Sequence, residues 1–402
     1  MQNVSSSNSE KALVPKLRFP EFTDEWEENK IGNLVDFIQG APLSKNDIST
    51  IGKPLILYGE LYTTYNEVTH HTFRKTSIEV DKKHLSKSGD VLIPTSGETP
   101  DEIATATCVM MDNVVLAGDL IILRGSILDG QILSYIINHK INRKISRIAQ
   151  GKSVVHIQPK EIAKINIRYP NNTEQNKLSS FFELINKKIQ LQQQLIENLK
   201  LYKRGLISFL FNHKLLIGEN CKLVKLGEIF NERSEKANGD EELLAVTINN
   251  GVQKRNELEL KDNSSENKNN YKKVHINDIA YNTMRMWQGA SDVSFYDGIV
   301  SPAYTVIYLN DNKNNNINFW KYYFKEAYLI NEFRKHSQGL TSDTWNLKYN
   351  QFSDIKVKNP CVGIQNKISA VLTKFDSVLN CNEKYLHGLN KIKIHLLQQM
   401  FI

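Results

Sequence analysis

The chain has 402 residues, of which 40% are hydrophobic and 24% charged, and it carries a formal net charge of +7. This length predicts two or three domains, and the mild basicity is compatible with a polyanionic ligand without requiring one. The polar start has no apolar signal-peptide segment, and no run of about 18 apolar residues predicts a membrane span. The four cysteines show no metal-binding spacing, so we expect free thiols in a reducing, cytoplasmic compartment.

The first half of the chain predicts a disordered tail followed by a mixed domain. Residues 1–16 are polar and are predicted to form the tail. An α+β domain is predicted over 17–172, with a strand in 113–123, which is rich in β-branched residues, and an amphipathic helix in 131–149.

A basic face on that helix is the first candidate for chemistry. Lys140, Arg143, Lys144 and Arg147 share one face of a regular helix, and residues 140–152 contain no acidic residue. Such a face can lie against phosphates, although a solvated surface is the plainer alternative. The loop after this helix is not a P-loop, because Ser146 stands where that motif needs glycine. The loop adds three polar candidates for DNA contact: Gln150, Lys152 and Ser153.

A long helix is predicted over 173–214, because apolar residues recur there at spacings of three and four. A second α+β domain is predicted over 215–362, and a second long helix over 363–402. The two helices together predict an antiparallel coiled coil. The predicted seam comprises Leu178, Phe181, Ile185, Gln192, Leu195 and Leu199 in the first helix, and Phe375, Val378, Asn382, Tyr385 and Leu389 in the second.

The second half repeats the first. The sequence Gln-Asn-Lys at 175–177 returns 190 positions later at 365–367, and Asn382 follows Gln192 at the same distance. If the helices pair antiparallel with matched ends, Gln192 faces Asn382 and fixes the register; the alternative is that one or both face water. The ends of the two domains match in sequence, whereas their central parts do not. This contrast predicts one scaffold that is used for two different ligands or ligand sequences.

The second domain offers its own candidates for base contact, because Arg and Gln suit bidentate hydrogen bonds to guanine and adenine. Trp287 could stack on a base, although core packing is the plainer role for a tryptophan. These candidates are Asn282, Arg285, Trp287, Gln288, Arg334, Lys335 and Gln338. No dinucleotide-binding, metal-binding or nuclease signature is recognisable, so no catalytic and no metal-ligating residue is predicted.

The same motifs occur in the same order in both halves of the chain, and this arrangement resembles the specificity subunit of type I restriction–modification systems. The opening residues 17–22 with Trp26 and the stretch 284–289 resemble that family as well. The repeated edge reads Gly151, Ile165, Ile167, Pro170, Gln175 and Lys177, and again Gly339, Ile355, Val357, Pro360, Gln365 and Lys367.

The resemblance implies an α+β fold with two similar target-recognition domains, joined and spaced by two long antiparallel coiled-coil helices. It implies a non-catalytic reader of a split DNA target in the bacterial cytoplasm, associated with the nucleoid. The expected partners are double-stranded DNA, two methyltransferase subunits and, through them, two restriction–translocase subunits. S-adenosylmethionine, ATP and Mg²⁺ are expected on those partners and not on this chain. A DNA-binding enzyme with a cryptic nuclease activity, and a coiled-coil adaptor without a DNA role, remain as alternatives.

Overall fold

A computed structural model describes residues 14–151, 154–211, 221–237, 241–248, 251–258 and 268–402. The chain divides into two compact units, called here unit 1 (1–192 with 385–402) and unit 2 (193–384). Each unit therefore contains one α+β domain and parts of both long helices. Most of the predicted tail lies outside the described residues. Within the described residues, no helix is long and apolar enough to cross a membrane.

Unit 1 is built on a five-stranded sheet in which two of the three inner strands, Asp90–Pro94 and Leu120–Arg124, are almost entirely buried. Neighbouring strands are antiparallel, except that Val68–Thr69 at one edge runs parallel to Thr107–Val109. The sheet order is Asp36–Gln39, Leu120–Arg124, Asp90–Pro94, Thr107–Val109, Val68–Thr69.

Smaller sheets and short helices complete unit 1. The remaining strands are Arg74–Thr76, Lys53–Leu57 and Val115–Ala117 in one sheet, Glu27–Lys30 paired with Asn166–Tyr169, and Ser96–Gly97 paired with Val155–His156. The helices are Glu60–Thr63, Pro100–Ile103, Gly130–Ile136, Asn142–Ile148 and Pro159–Ala163, with a π-helical turn at Ile137–Ile141 and 3₁₀ turns at Ile31–Asn33, Lys45–Asp47 and Lys82–His84.

Unit 2 has a four-stranded antiparallel sheet in the order Phe230–Glu232, Tyr304–Leu309, Ile279–Asn282, Ser291–Val293. Three strand pairs accompany it: Lys222–Lys225 with Lys356–Asn359, Leu244–Thr247 with Gly251–Lys254, and Lys272–Val274 with Gly298–Val300. The helices are Ile317–Tyr323, Ala327–His336 and Tyr349–Ser353, and the 3₁₀ turns are Leu226–Glu228, Arg255–Glu257 and Met286–Gln288.

Several predicted elements are interrupted in the structure, each for a local reason. The strand predicted in 113–123 is split by Gly118, which has a φ of +85°. The amphipathic pattern of residues 317–336 predicts one helix, but the structure has two. The Glu326 carboxylate accepts hydrogen bonds from the Tyr328 and Leu329 amides and so starts the second helix. The helix predicted over 131–149 contains the π turn.

The long helices are Asn172–Leu210 and Val362–Met400, with 39 residues each. Their buried faces follow the same frame 190 positions apart, and Gln192 lies on that frame. The residues of this frame that are largely buried are Leu178, Phe182, Ile189, Gln192, Ile196 and Ile207 in the first helix, and Ile368, Leu372, Leu397 and Met400 in the second.

Every second position of the predicted seam is wrong by one residue, because the more buried residue is the next one along the chain. Leu195 is 44% exposed whereas Ile196 is 5% exposed, and the predicted seam residues Val378 and Tyr385 are also exposed. Phe181 is half-buried, whereas Phe182 is fully buried. A spacing of three and four residues can follow either of two neighbouring stripes along a helix. Apolar residues occupy both stripes here, so the spacing alone could not identify the buried one.

Leu178, Ile185, Leu199, Phe375, Asn382 and Leu389 belong to both the predicted and the observed frames and are buried or half-buried. The pairing predicted between Gln192 and Asn382 involves residues of different units and stays a prediction.

The repeated glutamine has the same structural role in each unit. Gln175 donates from Nε2 to the Pro170 carbonyl at 2.8 Å and accepts the Asp129 amide at 2.7 Å. Gln365 donates to the Pro360 carbonyl at 2.9 Å and accepts the Asn316 amide at 2.8 Å. Asp129 and Asn316 are themselves N-caps of domain helices. The repeated motif therefore fixes the start of each long helix to its domain.

Each unit pairs the repeated buried aspartate with an arginine, although the two arginines stand at non-equivalent positions. Asp90 accepts hydrogen bonds from the Arg124 guanidinium at 2.6 and 2.8 Å, and Asp278 accepts from Arg233 at 2.6 and 2.9 Å. Each hydrogen bond raises the pKa of its arginine. Both carboxylates are almost fully buried, so a paired guanidinium is needed to offset the cost of burying them.

Candidate nucleic-acid interface

The basic face predicted in unit 1 is smaller than the sequence indicated. Arg143, Lys144 and Arg147 are exposed on the helix Asn142–Ile148. Lys140 lies within the preceding π turn, which alters its angular relation to the three cations of that helix. Its Nζ donates to the Gln398 carbonyl at 2.8 Å, and burial lowers its pKa. Lys140 therefore binds the end of the second long helix in this structure, and its contact with phosphate stays a prediction.

Acidic residues lie close to this basic helix. The helix Pro100–Ile103 packs against it, and the Ser146 hydroxyl donates to Asp101 at 3.2 Å. The pKa of Glu28 is lowered chiefly by a hydrogen bond from Arg168 and to a smaller extent by Lys144. The cationic surface of unit 1 is therefore flanked by carboxylates, which limits its attraction for phosphates.

A tight loop comes directly after the basic helix. The backbones of Gln150 and His156 exchange hydrogen bonds of 2.9 and 2.8 Å, and the Gln150 side chain is exposed. Gly151 has a φ of +143°, and a Cβ there would lie 1.9 Å from the Val154 carbonyl oxygen, so only glycine fits. Lys152 and Ser153, which were predicted to contact DNA, lie outside the described residues.

In unit 2 the candidates of one turn are held by their neighbours. Asn282 accepts the Met284 amide at 3.0 Å, and the Trp287 indole donates to the Met284 carbonyl at 3.0 Å. Arg285 and Gln288 are exposed on this turn. Residues 282–289 are called the 282–289 turn below.

Two further segments flank the 282–289 turn. The helix Ala327–His336 packs against Met286–Gln288. Its exposed Arg334 hydrogen-bonds Asn331 at 3.0 Å, and its exposed Lys335 pairs with Glu332 at 2.7 Å.

The second segment is a loop, residues 337–346, whose ends are joined by hydrogen bonds between the backbones of Gln338 and Asn346. Trp345 of this 337–346 loop meets Trp287 edge to face, with 5.2 Å between ring centroids. The structure thus brings all seven second-domain candidates onto three adjoining segments.

The two turns occupy equivalent places. The Ile157 amide donates to the Thr95 carbonyl at 3.1 Å, and the Leu347 amide donates to the Thr283 carbonyl at 2.9 Å. Thr95 is followed by Ser-Gly-Glu-Thr-Pro-Asp-Glu, whereas Thr283 is followed by Met-Arg-Met-Trp-Gln-Gly. The same position therefore carries carboxylates in unit 1 and an arginine in unit 2.

Lys325 supports the 282–289 turn and was missed in the sequence. Its Nζ donates to the Gly289 carbonyl and, at 2.5 Å, to the Ser291 carbonyl. Burial lowers the pKa of Lys325 to about 8. The available signal was the position of Lys325 directly after the aromatic-rich segment Phe319–Phe324, because charged residues are rarely buried without a structural role.

A cavity of about 310 Å³ lies beside the 282–289 turn and the 337–346 loop. Lys348 and the Lys272–Glu232 ion pair contribute charges to its wall. The Asn346 side-chain oxygen is buried and has no hydrogen-bond partner within the part of the chain that the structure describes. Among the described residues, no group of three or more His, Cys, Asp and Glu side chains could hold a metal ion.

Comparisons with known proteins agree with the predicted family. The family model described as "Type I restriction modification DNA specificity domain" matches the chain twice, over residues 23–201 and 216–391. No curated protein sequence matches the chain.

Two solved structures share the fold. The type I restriction–modification S subunit from M. genitalium is 17% identical with a TM-score of 0.59, and the match covers 97% of this chain and 99% of that one. A chain from a study of complex assembly and conformational transition of the type I R-M system is 13% identical with a TM-score of 0.58, over 94% and 97% of the two chains. The doubled family match shows that this chain belongs to the DNA specificity subunits of type I restriction–modification systems.

Proposed function

We propose that each unit reads one half of a bipartite, asymmetric DNA target. The observation that carries this proposal is that a repeated frame presents different side chains at equivalent exposed turns. Two readers that share a scaffold but differ in their contact residues suit a non-palindromic target. Family membership assigns DNA recognition to the chain; the division of that recognition between the units is our inference.

Phosphate contacts would supply much of the affinity, and base contacts would supply the sequence information. Arg143, Lys144 and Arg147 are suited to phosphates in unit 1. Arg285 and Gln288 are exposed in unit 2. Arginine can donate two hydrogen bonds to guanine, and glutamine can donate one to adenine and accept one from it.

The long helices would set the unread spacer between the half-sites and dock two methyltransferase subunits. Two restriction–translocase subunits would bind through the methyltransferases. The chain itself would be non-catalytic, with S-adenosylmethionine, ATP and Mg²⁺ bound by the partners. The assignment to specificity subunits supports this division of labour.

A genome-wide map of methylated adenines would test the proposal. Cells that express the chain with its cognate methyltransferase are compared with cells that lack the chain. A new split motif that depends on this gene is the expected result. If the methyltransferase co-purifies with the chain and still no new motif appears, the proposal is contradicted.

The spacer function has a separate test. Four residues inserted after Gln193 and four after Glu383 would lengthen both helices by about 6 Å, at roughly 1.5 Å per residue. We expect a longer spacer, by about one or two base pairs at roughly 3.4 Å each, with both half-sites unchanged. Altered half-site bases would contradict this function of the helices.

A further inference from the structure

Leu340 lies in the 337–346 loop with its side chain wholly in solvent. Its relative exposure is 101%, and the next most exposed large apolar residue in the described part of the chain is Ile51, at 70%. Single exposed leucines are common and need no explanation by themselves. Leu340 differs because hydrogen bonds hold its loop and because exposed cations lie on the segments that flank the loop.

Hydrogen bonds brace the loop at both ends and across its centre. Gln338 and Asn346 exchange backbone hydrogen bonds of 3.0 and 2.8 Å, and the Thr344 amide donates to the Thr341 carbonyl at 2.9 Å. Gly339 has a φ of +148°, and a Cβ there would lie 2.5 Å from the Thr344 carbonyl oxygen. Because the loop is already ordered in the free protein, a ligand that meets Leu340 bears little ordering cost.

The surroundings of the loop favour a polyanion as its occupant. Arg285, Arg334 and Lys348 are exposed on the segments that flank the loop. Asp343 is the one acidic residue within the loop and is exposed. A carboxylate there would be repelled by phosphates, so the loop suits base edges better than the DNA backbone, with the cations placed to meet phosphates at its sides.

The major groove offers one apolar group to such a loop, the 5-methyl group of thymine. We propose that Leu340 is a specificity-determining residue that contacts a thymine 5-methyl group in the half-site read by unit 2. This inference rests on the proposed function and adds a requirement to it, because the second half-site must contain a thymine.

Thymine-to-uracil replacement tests this contact without changing base pairing. The complete complex with its methyltransferase subunits is titrated with duplexes that carry the mapped target. Each thymine of the second half-site is replaced in turn by deoxyuridine. At one position we expect affinity to fall about four-fold, which corresponds to one buried methyl group.

Three variants complete the experiment. Leu340→Ala should bind thymine and uracil duplexes equally at that position, whereas Leu340→Met should keep the discrimination. Ile51→Ala, which truncates an exposed aliphatic side chain of unit 1, is the matched control and should discriminate as the unaltered chain does. Because Leu340 is in solvent, its truncation should leave the melting temperature unchanged, so loss of folding does not obscure the result.

The outcomes separate this inference from the function on which it rests. If binding does not depend on the second half-site at all, the proposed function fails. If binding does depend on it but uracil is tolerated at every thymine, the Leu340 inference is overturned alone. A half-site without thymine, or a uracil penalty that persists in Leu340→Ala, overturns it equally.

Discussion

Units 1 and 2 share the positions of their polar contacts but differ in the chemistry of those contacts. In unit 1 the Asn186 amide donates to the Tyr135 hydroxyl at 2.9 Å. In unit 2 the residue 190 positions later, Asp376, instead accepts a hydrogen bond from Tyr322 at 2.8 Å. The repeat therefore preserves the position at which a long helix hydrogen-bonds a tyrosine of its domain. The helix residue is the donor in unit 1 and the acceptor in unit 2.

The equivalent lysines of the two helices show the same divergence. Lys203 pairs with Asp376 of unit 2 at 2.5 Å, whereas Lys393 pairs with Glu67 of unit 1 at 2.8 Å. Burial would raise the pKa of Glu67, but His139 and Lys393 more than offset this effect and hold it at about 2. The comparison shows that the two units share a backbone frame, whereas equivalent positions of the two long helices make different polar contacts.

The largest expected effect comes from replacing one reader. Exchange of residues 17–172 for the equivalent domain of another specificity subunit should change one half-site completely and leave the other intact. Specific sites are typically bound 10³-fold or more over non-specific DNA, so the original half-site should lose most of that preference. Methylation mapping checks this result, and a change in both half-sites would contradict independent reading.

A second prediction tests the corrected frame of the helices. Ile196→Ala removes a buried side chain and should lower the free energy of unfolding by about 2–4 kcal/mol. Leu195→Ala, one position earlier and 44% exposed, should change it by less than about 0.5 kcal/mol. Chemical denaturation of the two variants measures the difference. Equal losses would show that the observed frame is wrong.

The sequence predicted the duplication, both long helices and the α+β class, because those depend on periodicity and repeated motifs. It could not choose the phase of the helices, since Leu195 and Ile196 are equally apolar. The sequence pattern placed Lys140 on a regular helix, because no local sequence feature predicts the π turn. Lys325 and Trp345 were missed because their contacts join segments that are distant in sequence, and the full exposure of Leu340 depends on how the 337–346 loop folds.

The third prediction concerns pH and unit 2. Burial lowers the pKa of Lys325 to about 8 from the usual 10.5, so the unfolded chain binds more protons between these values. Stability contributed by this group should therefore rise as pH increases from about 8 towards 10.

Lys325→Met should remove this contribution to the slope, whereas Lys348→Met, at an exposed position, should leave it intact. Denaturation at several pH values compares the variants. A slope that is the same in the unaltered chain and in Lys325→Met would show that Lys325 is not held with a lowered pKa.

A smaller effect is expected from the exposed arginine of the 282–289 turn. Arg285→Ala should cost about 1–3 kcal/mol of discrimination at one position of the second half-site, as expected for loss of a bidentate base contact. The first half-site should be unaffected. Competition binding with single-base variants of both half-sites provides the measurement, and unchanged discrimination throughout would remove Arg285 from the interface.

The smallest effect is expected from the basic helix of unit 1. Arg147→Gln removes one cation that is suited to phosphate rather than to a base, so binding should weaken by a similar factor for all sequences. The slope of log affinity against log salt concentration should become shallower by about 1. Lys140→Gln provides the contrast, because Lys140 binds the Gln398 carbonyl and should leave the salt slope unchanged. If Arg147→Gln instead altered the preferred bases, the helix would read sequence, and units 1 and 2 would resemble each other more closely than their exposed turns indicate.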